Sequence, residues 1–392
     1  FKLTTRDNGA TWYGLEVFKN KTGGELWTWG GAYNGAWNSG KLGLNESNTA
    51  QYSSPVQLGS DIGWAVSPTI HGEDSKNFAG EKGAAALKTD GTLWRWGDNE
   101  YGQLGLNDTT QRSSPTQVPG TTWSTVNRAG YNIRSTAVIK TDGTLWAWGR
   151  NQTGQLGVGN KTHYSSPVQV PGTTWKSVIM CGGNGAAIKT DGTLWTMGSN
   201  SYGQLGHNNR TEYNSPNQVG SSTDWKEVAG GDSNYYLIKT DGTLWGMGSS
   251  QWGINNHGVR YSSPTQLGAA TTWAKTGAST PQMTVALKTD GTIWAWGTNF
   301  YGTLGQNSTN SPDNNWISSP VQVPGTTWSD ISNYADMPIA TKTDGTIWGW
   351  GQGGYGRLGQ NTSTSRYSSP VQIPGGWSQA IGGNDIVLAY KA

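Results

Sequence analysis

One cysteine, Cys181, stands among 392 residues, so no internal disulfide can staple the chain and a buried small hydrophobe is the ordinary role for that side chain. Histidine is nearly as scarce. His71, His163, His207 and His257 fall at no metal-ligand spacing and form no H-x-x-x-H or Cys/His set. Only His163 and His257, in loops near similar Ser-Ser-Pro segments, could share a metal, and neither metal nor cofactor is expected. Charge is sparse too, at 13% of residues, with scattered Lys and Arg and a net charge of +2. That leaves no basic stripe to neutralise phosphates and excludes nucleic acid as the expected partner. No apolar run approaches the ~20 residues a membrane span needs, so no membrane insertion is expected. A Gly-x-Ser-x-Gly elbow is missing, and no carboxylate pair stands apart from the repeat, so the chain reads as no enzyme. It begins at Phe1 with neither Met nor a signal-like segment, which leaves a processed product and a part of a longer protein both open.

What the chain has in abundance is glycine, at 59 residues, and tryptophan, at 23. The tryptophan is periodic, which argues for a packed all-β core over a disordered Gly-rich chain. The organising stretch is Lys140-Thr141-Asp142-Gly143-Thr144-Leu145-Trp146-Ala147-Trp148-Gly149, with near copies ending at Gly30, Gly97, Gly198, Gly248, Gly297 and Gly351. Asp-Gly between two β-prone runs predicts a hairpin with a two-residue primed turn, Thr141 facing Thr144. That turn explains the repeated Asp without calcium or acid/base chemistry.

The turn residues Asp90, Asp142, Asp191, Asp241, Asp290 and Asp344 lie 52, 49, 50, 49 and 54 apart. A period near 50 with four short strands per unit is the pattern of propeller blades, and seven copies predict a single seven-bladed all-β propeller. Twelve Trp occupy the Leu/Ile-Trp-x-Trp/Met strand, and Trp64, Trp123, Trp175, Trp225, Trp273, Trp328 and Trp377 close the units. Tryptophan at fixed repeat positions reads as packing between blades. Residues 1–13 lie outside the repeat as an arm, and 14–392 form the propeller. The first-strand pattern occurs once more at 385–391, which predicts that this last segment lies in the blade of Leu26–Gly30 and closes the ring. Residues 1–21 then become an extra strand or an attachment arm, unless they pair as in any other unit.

The Thr-Asp-Gly-Thr-Leu-Trp-x-Trp-Gly strand, the Asn-x-Tyr-Gly-Gln-Leu-Gly loop (Asn99–Gly105) and the Ser-Ser-Pro-Val-Gln-Val-Pro segment together resemble the repeat of the regulator of chromosome condensation family. The resemblance covers about residues 14–392 and implies the family's seven-bladed propeller. The fifth unit departs from the loop pattern at Trp252-Gly253-Ile254-Asn255. The family's nucleotide exchange factor uses a wedge and a basic tail. This sequence has no such tail, and its one sizeable insertion, Ser67–Lys76, is acidic to neutral. The Gly-Trp-Arg-His-Thr stretch of the family's plant photoreceptor is absent as well. Low charge, near-uniform repeats and Asn/Ser/Thr/Gly-rich loops look most like members on bacterial surfaces or in phage particles.

Candidate binding residues are sought where the repeat is silent. Four residues before the Pro of each Ser-Ser-Pro-type segment stand Gln51, Gln111, His163, Glu212, Arg260, Trp316 and Arg366. Seven different contexts at one geometric position predict a variable ring around one face. Trp316 and Trp37 are off-template loop tryptophans, which either fold back on their own blades or act as sugar- or protein-binding hot spots. The expected function is a non-enzymatic extracellular or virion-surface structural and binding module, engaging neighbouring subunits, a host-surface protein or a glycan. The alternative is an intracellular protein-interaction propeller in the family's regulatory style, and a propeller enzyme comes third.

Overall fold

The structure is a computed structural model. It describes residues 23–391 apart from 32–39, 47–50, 67–76, 80–82, 127, 130–133, 232, 250–258, 281–282, 309–315, 335, 364 and 384. The arm at 1–13, the first-strand segment before residue 22, Trp37, the insertion 67–76 and the divergent loop at Trp252–Asn255 therefore lie outside the described residues.

The described strands form seven sheets, antiparallel except where Arg128–Ala129 joins one of them as a fifth strand parallel to Trp175–Met180. In one of them Trp123–Val126 is innermost, followed by Ser135–Lys140, Leu145–Gly149 and, at the outer edge, Tyr164–Gln169. We call this blade III. Blades II and IV–VII are the sheets whose hairpins turn at Asp90, Asp191, Asp241, Asp290 and Asp344. Blade I draws on both ends of the chain. Its strand Glu25–Gly31 lies between Gln51–Gln57 and the last strand, Ile386–Lys391, which pairs in register from Glu25↔Lys391 to Gly30↔Ile386. The two innermost strands of each blade touch those of the next all the way round. The protein is an all-β seven-bladed propeller.

The Asp-Gly turn differs from expectation. Gly143 donates its N–H to Lys140 O at 3.0 Å and has φ +76°, whereas Asp142 is not among the residues of positive φ. This is a three-residue loop with a glycine bulge rather than a primed two-residue turn. The cause is the Asp side chain. Its Oδ1 accepts the Thr144 N–H at 2.9 Å and the Thr144 hydroxyl at 2.6 Å, which fixes the bulge locally. The same bonds hold the Asp142 carboxyl below the usual carboxylate range. Thr144 Oγ1 in turn accepts the Trp146 indole N–H at 3.0 Å. Above it the Lys140 ammonium lies 4.7 Å from the Trp123 ring and 4.4 Å from the Trp146 ring. Lys88, Lys189, Lys239, Lys288, Lys342 and Lys391 repeat this sandwich. Among the described residues, every lysine at this place is thus consumed in a cation–π stack.

The second Trp of each strand keys one blade to the preceding one. Trp148 is fully buried and donates its indole N–H to Gln103 O in the loop of blade II. Trp29, Trp96 and Trp350 do the same to Arg357, Lys41 and Thr303. Two glycines make room for this. A Cβ on Gly105 (φ +75°) would lie 2.6 Å from Trp148 Nε1, and one on Gly102 (φ +77°) 2.4 Å from Ser165 Cα of blade III. In blades IV and V the buried Met197 and Met247 fill the Trp slot.

Candidate interaction face

Strand direction sorts the loops onto two faces. One carries the Asp-Gly hairpins. The other, here the loop face, carries the short loops between the first two strands of each blade and the long Asn-x-Tyr-Gly-Gln-Leu-Gly loops. The long loops are scaffolded by their own asparagines. Asn99 Nδ2 donates to Asp108 O and Thr110 O at 3.0 Å, and its Oδ1 accepts the Leu104 N–H at 2.9 Å. Asn151, Asn200 and Asn299 are buried and do likewise. Each loop is also tied forward: the Asn107 N–H donates to Ser165 O of the next blade at 2.8 Å, and Ser166 Oγ to Asn107 Oδ1 at 3.1 Å. Much of the Asn/Ser/Thr content that reads as an adhesive surface is spent inside the scaffold.

The variable position falls at the start of the outermost strand of each blade. Gln51, Arg260, Trp316 and Arg366 are its first residue, and Gln111, His163 and Glu212 immediately precede it. Gln51, Gln111, His163, Glu212, Arg260 and Arg366 are all exposed. The ring and ion-pair contacts of His163, Glu212, Arg260 and Arg366 reach back to the loop of the preceding blade. His163 meets the Tyr101 ring edge-on at 5.4 Å, Arg260 lies 5.0 Å from the Tyr202 ring, and Arg366 lies 4.8 Å from that of Tyr301. Glu212 pairs with Lys161 at 2.9 Å. His163 Nδ1 accepts the Asn151 N–H at 2.9 Å, so its free lone pair is spent on the loop.

Residues that were not anticipated stand nearer the centre. Arg134 and Arg150, just before and just after two neighbouring strands of blade III, are joined by an Arg150 N–H to Arg134 O bond of 2.8 Å. Their guanidinium carbons lie 5.3 and 5.6 Å from the Tyr101 ring, and Arg134 Nη1 donates to the Tyr101 hydroxyl at 3.1 Å. Beside them a cleft of about 230 Å³ opens between blades III and IV, lined by Arg150, Gln152, Gln155, Ser199, Tyr202 and Gln204 among others. The available signal was Arg150, the one basic residue at a place where the other units carry Gly31, Asp98, Ser199, Ser249, Thr298 and Gln352; at the Arg134 place Lys82 of blade II is basic as well.

A second charged cluster sits where the chain's ends meet. Lys41 Nζ and Arg357 Nη2, on side chains only 1% and 3% exposed, reach the two oxygens of Asp385 at 2.9 and 3.0 Å. Burial lowers the Arg357 pKa against the pull of Asp385 and Asp336, and burial raises that of Asp336 against Arg357. Among the described residues no group of three or more His, Cys, Asp or Glu could hold a metal ion.

A closed ring of seven sheets with a structured loop face defines the class: a repeat propeller. Residues 90–129, 142–188, 191–237, 290–332 and 344–390, more than half of the chain, match the model of the regulator of chromosome condensation (RCC1) repeat, and the chain belongs to that family. It is 28% identical over 170 residues to the ultraviolet-B receptor UVR8 of Arabidopsis thaliana, covering 42% of this chain and 35% of the receptor. It is 38% identical over 85 residues to human RCC2 (21% of this chain, 16% of that protein) and 27% over 160 residues to the human E3 ubiquitin-protein ligase HERC2 (40% and 3%). The matches thus span about a third or less of those relatives.

Among solved structures, Prp20p of Saccharomyces cerevisiae superposes with a TM-score of 0.76 at 16% identity, covering 94% of this chain and 91% of that one. Human WBSCR16 gives 0.75 at 18%, covering 94% and 98%. At such identities the likeness carries the fold alone. These comparisons overturn the resemblance to bacterial-surface and phage members, and with it the extracellular, virion, adhesion, host-recognition and carbohydrate-binding expectations. The matches are to plant, yeast and human proteins of the chromosome-condensation-regulator type. Host-surface proteins, glycans and virion subunits are withdrawn as partners on the same ground, and the polar loops that suggested them are accounted for by loop scaffolding.

Proposed function

We propose that the chain is an intracellular protein-interaction propeller of its family's regulatory type, docking a partner protein across the loop face. Residues 14–392 act as one ring, and residues 1–13 as an arm outside it. The observation that carries the reading is the concentration of non-repeating, exposed side chains on that face, over a scaffold that is otherwise repetitive and buried. Rigid scaffolds with variable loops are where binding residues concentrate. Protein partners support it: yeast Prp20p has binding properties to Gsp1p and histones, and yeast RCC1 (Prp20) has been solved bound to Kap60. Gln51, Gln111, His163, Glu212, Arg260, Trp316 and Arg366 form the rim of the proposed surface, with Trp37 a further candidate from the same loops.

The test is site-specific photo-crosslinking in living cells, with a benzoyl-phenylalanine placed at exposed Gln111 or Gln152 on the loop face, and at exposed Thr173 on the hairpin face. Protein adducts from the loop-face positions alone are expected. Adducts from Thr173 only, or from none of the three, would remove the reading.

A further inference from the structure

We propose that the cleft between blades III and IV, with the Arg134–Tyr101–Arg150 stack beside it, receives an acidic peptide segment of a partner protein. The proposal rests on the protein-interaction reading above and assigns it a site and a chemistry.

Two cations are held together here by the fold itself. Arg134 and Arg150 are hydrogen-bonded backbone neighbours, and both guanidinium groups lie over one aromatic ring. Stacking on Tyr101 orients them while leaving their charge uncancelled. The carboxylate paired with this stack is Glu100, 3.8 Å from Arg134 and 58% exposed, a geometry that binds weakly in water. Arg150 makes no ion pair among the described residues. Its Nη2 donates to the neutral Gln152 Oε1 at 2.6 Å, and its Nε is buried without a hydrogen-bond partner there. A guanidinium so placed has donors to offer a carboxylate.

The cleft supplies the rest. Thr153 Oγ1 and Gln155 Nε2 tie its floor to Gly183 O and Gly182 O of blade IV at 2.6 and 3.2 Å, so the floor is rigid. Amides of Gln152, Gln155 and Gln204 and the hydroxyl of Ser199 line the walls, a neutral set suited to peptide backbone groups. Tyr202, 40% exposed, forms the wall opposite Arg150 and gives one apolar contact. A volume of about 230 Å³ takes a side chain or two rather than a cofactor. The occupant is therefore an extended segment with a carboxylate at Arg150 and Arg134 and an aromatic or aliphatic side chain against Tyr202. A polyanion such as nucleic acid needs many cations in a row, and this site has the Arg134–Arg150 pair with one more guanidinium, Arg260, on the Tyr202 ring.

The experiment is fluorescence anisotropy on the full chain, with a labelled short peptide that alternates glutamate and glycine and carries one phenylalanine. Salt-sensitive binding is expected, weakened about tenfold or more by Arg150→Glu and by Arg150→Ser, several-fold by Tyr202→Ala, and by less than about twofold by Arg210→Glu on the same loop as Tyr202. Serine is what blades IV and V carry at the Arg150 position, which guards against a folding defect. The glutamine version of the peptide should not bind. No binding to the wild type, equal loss in Arg210→Glu, or equal competition by a single-stranded oligonucleotide would each overturn the site. Loop-face photo-adducts that survive Arg150→Glu would overturn it too, and would leave the wider protein-interaction reading standing.

Discussion

Two charged clusters occupy related places on the loop face, and they behave as opposites. At the seam of blades VII and I, Lys41 and Arg357 are buried and converge on Asp385. In blade III, Arg134 and Arg150 are partly exposed, lie over Tyr101 and border an open cleft. Asp385 and Arg134 hold the same place in the repeat, just before the second strand of a blade, and each backbone carbonyl accepts the N–H that follows the Trp-x-Trp-Gly strand. One scaffold position serves closure in one blade and, by our reading, recruitment in another. Whether the charge is paired inside the protein separates the two: a buried triad is costly to break, whereas a stacked, unneutralised cation is cheap to remove.

The largest expected effect breaks the closure side. Asp385→Ala removes a carboxylate shared by two buried cations, and should destabilise the fold by about 3–5 kcal/mol in chemical denaturation. A triple change, Lys41→Met, Arg357→Met and Asp385→Leu, should recover most of that loss, because it takes the buried charges away together. Equal damage from the triple and the single variant would show that the triad itself is not what the seam depends on.

Next comes the seam of blades II and III, where the buried Arg95 guanidinium donates to the Thr136 hydroxyl. Trp148→Met copies the residue that blades IV and V carry at this place and deletes the indole bond to Gln103 O. Gln103 O keeps a second donor, the Thr136 hydroxyl at 2.9 Å, so the cost should be about 1–2 kcal/mol in the same denaturation experiment. A larger loss would place this seam on a par with the one at Asp385.

The fold was readable in the sequence because its determinants are local and repeated. Asp142-Gly143, Trp146 and Trp148 announce a hairpin within ten residues, and a period near 50 stacks those hairpins into a ring. The turn type was misread because it depends on the Asp142 side chain bonding to Thr144, which composition does not reveal. The face was harder. Arg134 and Arg150 are sixteen positions apart at the ends of different strands, and their shared Tyr101 belongs to another blade, so no window along the chain brings the three together. The polar loops misled for a related reason: Asn99, Asn151 and Asn200 look like surface residues, yet their amides close the loops from within.

Acidity should probe the hairpin face and the closure seam in opposite directions. Asp142 and its counterparts Asp90, Asp191, Asp241, Asp290 and Asp344 all have pKa values lowered from 3.8 by bonds to the following Thr. A lowered folded-state pKa means that their contribution is whole above about pH 4 and is lost as pH falls through the folded values. Asp336 is raised by burial, so its contribution has the other sign: present below 3.8 and lost as pH rises through its folded pKa. Thermal melts across pH should therefore show a steep acid loss that Asp142→Asn makes shallower. Asp336→Asn should give a slightly higher melting temperature at neutral pH and no gain in acid. An Asp336→Asn protein that melts lower at neutral pH would mean that the attraction of Arg357 outweighs burial at that site.

The smallest expected effect is the one that decides the comparison. Arg134→Ser with Arg150→Ser restores small residues of the kind that other blades carry at these places, and removes two cations that are partly exposed and screened by solvent. Folding stability should change by no more than about 0.5 kcal/mol, since surface charges away from buried networks rarely matter more. If the double variant instead loses stability on the scale of Asp385→Ala, the Arg–Tyr–Arg stack is a second structural clamp between blades II and III, and the contrast between a paired closure and an open, available charge collapses. Unchanged melting together with lost affinity for the acidic peptide would leave binding as the reason for two guanidinium groups over one tyrosine.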